Sequence, residues 1–256
     1  SIGGQIWMSA APPGRDEFRR LVPYYRGRLD RAGVDLLLNT EVTAKVLRKE
    51  RPDAVILATG SEPLVPEIPG IRGENVCHAW DVLAGTADLG KKVVILGGGA
   101  VGVETAIFVA SIGTPSGDVV RFLLMHGAEE PDRLRTICYT GTKQVTLIEM
   151  EQKVGRDIGL TTRWVLLAEL KAFDVKTISG ATVTEIRDNG VVYRKNGTDH
   201  HEPADTVVLA LGSRPNRSLT DSLDETGIPV EAVGDCVEPR KVMDAIHEAF
   251  LATIEL

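Results

Sequence analysis

Glycines at 97, 98, 99 and 102 stand directly behind the apolar run 93–96, in the stretch KKVVILGGGAVGVETA at 91–106. Gly97, Gly99 and Gly102 keep the spacing G-x-G-x-x-G, and the run before them reads as a buried parallel strand. A helix is expected after it, from about Val101 to Ser111. In a strand-to-helix turn of this kind the first glycine makes the tight bend, the second lets backbone approach a pyrophosphate, and the third lets helix pack close to strand. With Gly98 inside the bend and Ala100 and Val101 at the helix start, a diphosphate would meet backbone amides and the positive end of the helix dipole. A glycine-rich turn that only packs is the bland alternative. The strand before, the helix after and an acidic strand end downstream weigh against it.

That acidic end is Glu149, closing the strand VTLIE, where such sites place a carboxylate to accept hydrogen bonds from ribose hydroxyls. It lies far beyond the usual interval of about 20 residues from the motif, a departure that an insertion at 113–143 explains. Glu149 and Glu151 would repel a 2′-phosphate, so NAD(H) is expected rather than NADP. A solvated glutamate at a strand end is the alternative. Other chemistry finds less support. His78, His126, His200, His201 and His247 show no metal-ligand spacing, and Cys77, Cys138 and Cys236 are far apart with no C-x-x-C. Cys236 reads as a small buried hydrophobe. No catalytic residue and no metal ligand is assigned.

The elements that must hold these residues alternate. A helix is expected over 16–32, a strand over 34–43, and a second strand over 52–63 that runs into Ala58, Thr59 and Gly60. Prolines at 63, 66 and 69 mark a non-helical connection. After the glycine motif, the insertion holds a short helix around 119–126. Then come a strand at 144–150, a helix over 160–173, a strand near 175–179, a hairpin turning at Asp188-Asn189-Gly190, a strand at 205–212 and a helix from about 240. Strands alternating with helices predict an α/β fold with a parallel, doubly wound sheet.

The chain has 256 residues, enough for one large or two ordinary domains, and a net charge of −7 with a pI near 5.3. Such a balance offers no footprint for phosphate backbones or an anionic membrane, so neither nucleic acid nor membrane is an expected partner. No apolar run approaches the roughly 20 residues of a bilayer span. The separated cysteines suit a reducing compartment, and a cytoplasmic location is expected.

Five motifs in order, GGQI at 3–6, ATGSEP at 58–63, GGGAVGVETA at 97–106, LALGSRPN at 209–216 and VGDC at 233–236, give the chain a wider resemblance. It resembles the C-terminal half of the 2,4-dienoyl-CoA reductase and trimethylamine dehydrogenase group of old-yellow-enzyme-like NADH:flavin oxidoreductases. Their two nucleotide-binding domains look like those of glutathione reductase. The resemblance implies two Rossmann-like FAD/NAD(P)-binding domains: a FAD-type one over 1–85 plus 205–256, and an NAD(P)-binding one over 86–204. Gly4 and Gln5 would lie beside the flavin nucleotide, Val42 near its adenine, and Ala58, Thr59 and Gly60 along its diphosphate. Gly212 falls in a nucleotide-contacting motif, and Asp235, after Gly234, matches the aspartate that bonds the ribityl chain. A turn or capping acid is the plainer reading of Asp235.

In the group, a first G-x-G-x-x-G precedes GGQ, and a TIM barrel with FMN and an iron–sulfur cluster lies further upstream. Neither is in this sequence, which opens without Met. The chain is therefore expected to be a portion of a longer protein whose first βαβ unit and barrel partner lie elsewhere, and tightly bound FAD is not expected from this portion alone. A homo-oligomer is compatible with the sequence. The function implied is NADH binding with hydride passed to a flavin. The other reading is a non-catalytic module that holds ADP or another adenine nucleotide for structure.

Overall fold

The computed structural model describes residues 2–223 and 227–254. Along the chain come α1 (Ile6–Ser9), a 3-10 turn (Asp16–Arg20), α2 (Leu21–Arg31), α3 (Ala44–Glu50), β1 (Val55–Leu57), β2 (Ser61–Pro63), β3 (Val76–His78) and α4 (Ala79–Ala84). They are followed by β4 (Lys92–Leu96), α5 (Ala100–Ser111), α6 (Gly117–Met125), α7 (Pro131–Cys138), β5 (Gln144–Glu149), α8 (Leu160–Ala172) and β6 (Lys176–Ser179). The remainder is β7 (Thr182–Arg187), β8 (Gly190–Lys195), β9 (Thr198–Pro203), β10 (Thr206–Leu209), β11 (Ser213–Pro215), α9 (Thr220–Leu223), β12 (Val230–Ala232), a second 3-10 turn (Gly234–Cys236) and α10 (Val242–Ile254). Two compact units result: Ile2–Val34 with Val65–Leu211, and Asp35–Leu64 with Gly212–Leu256. Among the described residues no helix is long and apolar enough to cross a membrane.

The larger unit is built on a parallel sheet of order β3-β10-β4-β5-β6. Strands β4 and β5 are buried through their centres, Val93–Leu96 and Val145–Ile148, because both faces are covered. Val93, Ile95, Val145 and Leu147 pack with Val103, Ala106 and Ile107 of α5 and Leu170 of α8. On the other face Val94, Leu96 and Ile148 pack with Ile186 of β7 and Val191 and Tyr193 of β8. This second cover is an antiparallel sheet of order β7-β8-β9, and its first turn falls at the expected Asp188-Asn189-Gly190. The fold is α/β with a parallel sheet, as the alternation of elements predicts, but it is not doubly wound: helices cover one face and the antiparallel sheet β7-β8-β9 covers the other, because the segment between β6 and β10 pairs with itself as hairpins.

The insertion differs from its expected content. It holds two helices, α6 and α7, and its ends meet: the Thr142 amide donates to the Ile112 carbonyl at 2.8 Å. A loop that leaves and returns at one point costs the sheet nothing, and β5 still pairs with β4 in an unbroken register, Val94 opposite Thr146.

The smaller unit has two short ladders, β1 parallel to β12 and β2 antiparallel to β11, over a core of Leu47, Leu57, Leu223 and Cys236. The strand expected over 52–63 is therefore two, because Gly60 at φ +73° turns the chain between β1 and β2. Residues 34–43 are not a strand. Among the described residues no strand pairs with them, and Val34, Leu37 and Leu38 are exposed; an apolar run without a ladder partner cannot satisfy its amides as a strand.

Leu147 is fully buried on β5 of the larger sheet, between β4 and the edge strand β6. Leu147→Ala should lower stability by about 2–5 kcal/mol, read as a lower urea midpoint at unchanged slope.

Candidate functional site

Strands β4 and β10 end side by side, with the Ala210 amide donating to the Leu96 carbonyl at 2.8 Å. The chain leaves β4 towards β5 and β6 on one side, while β10 and β3 lie on the other. Crevices at such a reversal, outside the carboxyl ends of the strands, are where open α/β sheets take ligands. The glycine loop fills that place. Gly97 sits at φ +101°, and a Cβ on it would stand 2.3 Å from the Ala210 carbonyl oxygen. On Gly102 a Cβ would stand 1.8 Å from the Gly97 carbonyl oxygen. Neither position admits a side chain, so α5 starts in direct backbone contact with the loop. Gly98 and Gly99 instead border an open cavity of about 430 Å³ shared with Glu149, Glu151, Arg156 and Asp157. Ala100 is the first residue of α5, and Val101 beside it is exposed.

Glu149 lies at this loop, as its strand position predicts. One carboxylate oxygen accepts from the Gly98 amide and the other from the Glu151 amide at 2.7 Å. The sequence reading did not single out Asp157, whose carboxylate accepts from the Ala100 amide at 3.0 Å. It gets there because the Gly155 amide donates to the Gly98 carbonyl at 2.6 Å, which draws the turn after β5 onto the glycine loop. No spacing in the sequence signals that contact.

A glycine turn beside an open cavity, the start of a 12-residue helix and a carboxylate at a strand end fit an adenine dinucleotide, with the Gly98 and Ala100 amides engaged by Glu149 and Asp157. Behind the loop, Glu104 on α5 pairs with Arg15. Burial holds its carboxyl above the ordinary range, the Arg15 guanidinium draws it down, and the Asp157 charge raises it further.

In the smaller unit a second cavity, of about 870 Å³, brings together Val42, Ala58 and Thr59 with Thr43 and Leu57. Gly60, Gly212, Gly234 and Asp235 are not on its wall. Gly60 accepts from the Asn216 amide at 3.0 Å, and the Thr59 hydroxyl donates to the Asn216 carbonyl at 2.8 Å. Gly212, at φ +94°, accepts from the Leu64 amide. Asp235 takes the Ser61 hydroxyl at 3.4 Å and the Arg240 amide at 3.3 Å, while the Gly234 amide donates to Glu248 at 2.7 Å. Gly4 and Gln5 belong to the larger unit, where they begin α1: the Gly4 and Gln5 carbonyls accept from the Trp7 and Ser9 amides.

A family model described as pyridine nucleotide-disulphide oxidoreductase matches residues 16–249. The chain belongs to this family. Among curated proteins, the metal reductase of Desulforamulus reducens is 42% identical over 99% of this chain and 38% of its own length. The NADH oxidase of Thermoanaerobacter brockii is 32% identical over 97% of this chain and 35% of its own. Of solved structures, a 2-naphthoyl-CoA reductase complexed with 2-naphthoyl-CoA has a TM-score of 0.81 at 29% identity, covering 98% of this chain and 34% of that one. A histamine dehydrogenase from Rhizobium sp. 4-9 shares the fold, with a TM-score of 0.78 at 17% identity, covering 100% of this chain and 39% of that one. The chain thus spans little more than a third of the length of these relatives. Its fold is the mixed α/β, Rossmann-like FAD/NAD(P)-binding fold of the family.

The three cysteines of this family member are free. Cys236 is buried, its thiol directed at the Leu57 and Val233 carbonyls at 3.2 and 3.1 Å. Burial, with the nearby Asp81 carboxylate adding to it, pushes the Cys77 thiol up to about 11. The thiolate is the reactive form, so at pH 8 Cys77 should alkylate about a hundredfold more slowly in the folded protein than in urea. Mass spectrometry after a timed iodoacetamide pulse checks this.

Proposed function

We propose that the chain is the nucleotide-binding portion of an NADH-dependent flavin oxidoreductase. Residues 97–102 and Glu149 would hold NAD(H), within an NAD(P)-binding part whose core is 86–204 and whose sheet also takes in β3 and β10. The smaller unit, 35–64 with 212–256, would form the FAD-type part, with Val42 near the adenine of the flavin nucleotide and Ala58 and Thr59 along its diphosphate. When bound, the nicotinamide supplies a hydride and the flavin a place to receive it; the chain supplies positioning and electrostatics. A barrel with FMN and an iron–sulfur cluster, on the remaining length typical of its relatives, would house the substrate.

The observation that carries this reading is the loop at the end of β4. Gly97 and Gly102 bring the start of α5 against the strand end, Gly98 lets Glu149 close onto the loop, and Gly98 and Gly99 border an open cavity. Amides in that arrangement stabilise an anion, and the carboxylate suits ribose hydroxyls. Glu149 at the strand end disfavours a 2′-phosphate, which supports NADH over NADPH; Glu151 on the same wall is offset by Arg156. The family membership and the relatives named reductase, oxidase and dehydrogenase agree with an oxidoreductase.

Calorimetric titration with NADH, NADPH and ADP tests the reading. Glu149→Ala should weaken NADH by roughly 10-fold or more, the loss of hydrogen bonds to a charged group, and NADPH by less. Equal losses would remove Glu149 from the ribose. Gly99→Val should abolish dinucleotide binding by filling the approach to the loop, whereas unchanged affinity would leave the loop a packing device. Tight ADP with no NADH-driven reduction of added flavin would favour the structural, non-catalytic module.

A further inference from the structure

Asp157 needs a role that the dinucleotide fingerprint does not supply. Its carboxylate accepts from the amide of Ala100, the first residue of a 12-residue helix, where unpaired N–H groups and the dipole attract negative charge. The same carboxylate oxygen lies 3.1 Å from where a Cβ on Gly99 would stand. That is the gap which the second glycine of the fingerprint leaves for a pyrophosphate. A protein carboxylate therefore stands where the ligand's anionic bridge would have to come.

We propose that Asp157 is an internal competitor for the diphosphate position, whose carboxylate must leave the Ala100 amide for a dinucleotide to bind and which thereby sets the affinity for diphosphate ligands. The inference deepens the reading of the loop as a diphosphate cradle and rests on it. Asp157 differs in this from Glu149. Glu149 is held by two amides, Gly98 and Glu151, and ends a strand of the central sheet. Asp157 is held by one, is exposed, and follows Gly155, which sits at φ +68°. Its side chain can turn into water without giving up a buried contact. Arg156 beside it lines the same cavity and pairs with Glu151 at 3.4 Å through an exposed side chain, so a cation stands ready at the wall for the incoming anion.

The test compares the unsubstituted chain with Asp157→Asn and Asp157→Ala, titrated with ADP, NADH and adenosine at fixed ionic strength. Removing one competing charge at a helix N-terminus should tighten ADP and NADH by roughly 3- to 30-fold in both variants. Adenosine carries no diphosphate, and its affinity should not move. A merely structural aspartate would alter all three ligands together, and that result overturns the proposal. So does an ADP affinity that is unchanged or weaker in both variants. If the unsubstituted chain binds ADP and neither variant gains, only the role of Asp157 falls. If none of the three proteins takes up ADP or NADH, the cradle reading falls with it.

Discussion

The close approach of three backbone segments at the end of β4 is the constraint on which the larger unit depends. The Gly97 carbonyl lies against Gly102, the Ala210 carbonyl against Gly97, and nothing larger than hydrogen fits at either contact. Because those two positions are bare, α5 begins within one turn of the strand end, and its first amide, that of Ala100, reaches the Asp157 carboxylate beside the loop cavity. A helix displaced outward by a methyl group would carry that amide away from the loop. Steric demand and anion attraction are thus met by one stretch of sequence.

Around that contact the packing is two-sided. β4 and β5 alternate their side chains between the helices α5 and α8 and the antiparallel cover β7–β9, so the strand that carries the glycine loop is clamped from both faces. A loop at the end of such a strand inherits its rigidity, which suits a site whose task is positioning. The two-helix insertion lies outside this arrangement, since the chain returns to Ile112 through Thr142 before β5 begins.

Carboxylates dominate the electrostatics near the loop. Glu149 and Asp157 each take a loop amide, and Glu104 behind them is neutralised by Arg15. The loop amides are therefore engaged by protein acids of two kinds, one anchored at a strand end and one on an exposed turn. A single carboxylate at the strand end would have made a simpler site; the second acid makes affinity adjustable without touching the glycines.

Much of this was legible in the sequence because it is local. The glycine spacing behind a β-branched run, the acid closing VTLIE and the hairpin turn at Asp188-Asn189-Gly190 each depend on neighbouring residues, and local conformation follows from them. The run at 34–43 shows the limit: it is as apolar as a strand, yet strand structure requires a partner that no local pattern can supply, and among the described residues none is there. The division of 52–63 at Gly60 was likewise decided by long-range pairing, β1 with β12 and β2 with β11. So was Asp157, brought to the helix start by a backbone bond between Gly155 and Gly98, residues far apart along the chain. The third strand of the antiparallel cover and the second helix of the insertion had local signals that went unread, the turn at Asn196-Gly197 and the opening Pro131. The sequence by itself determined where an anion could be held, since amide exposure at a glycine bend is a property of the bend. Only the tertiary structure decided which side chain already competes for it, since that depends on which distant turn the fold lays against the loop.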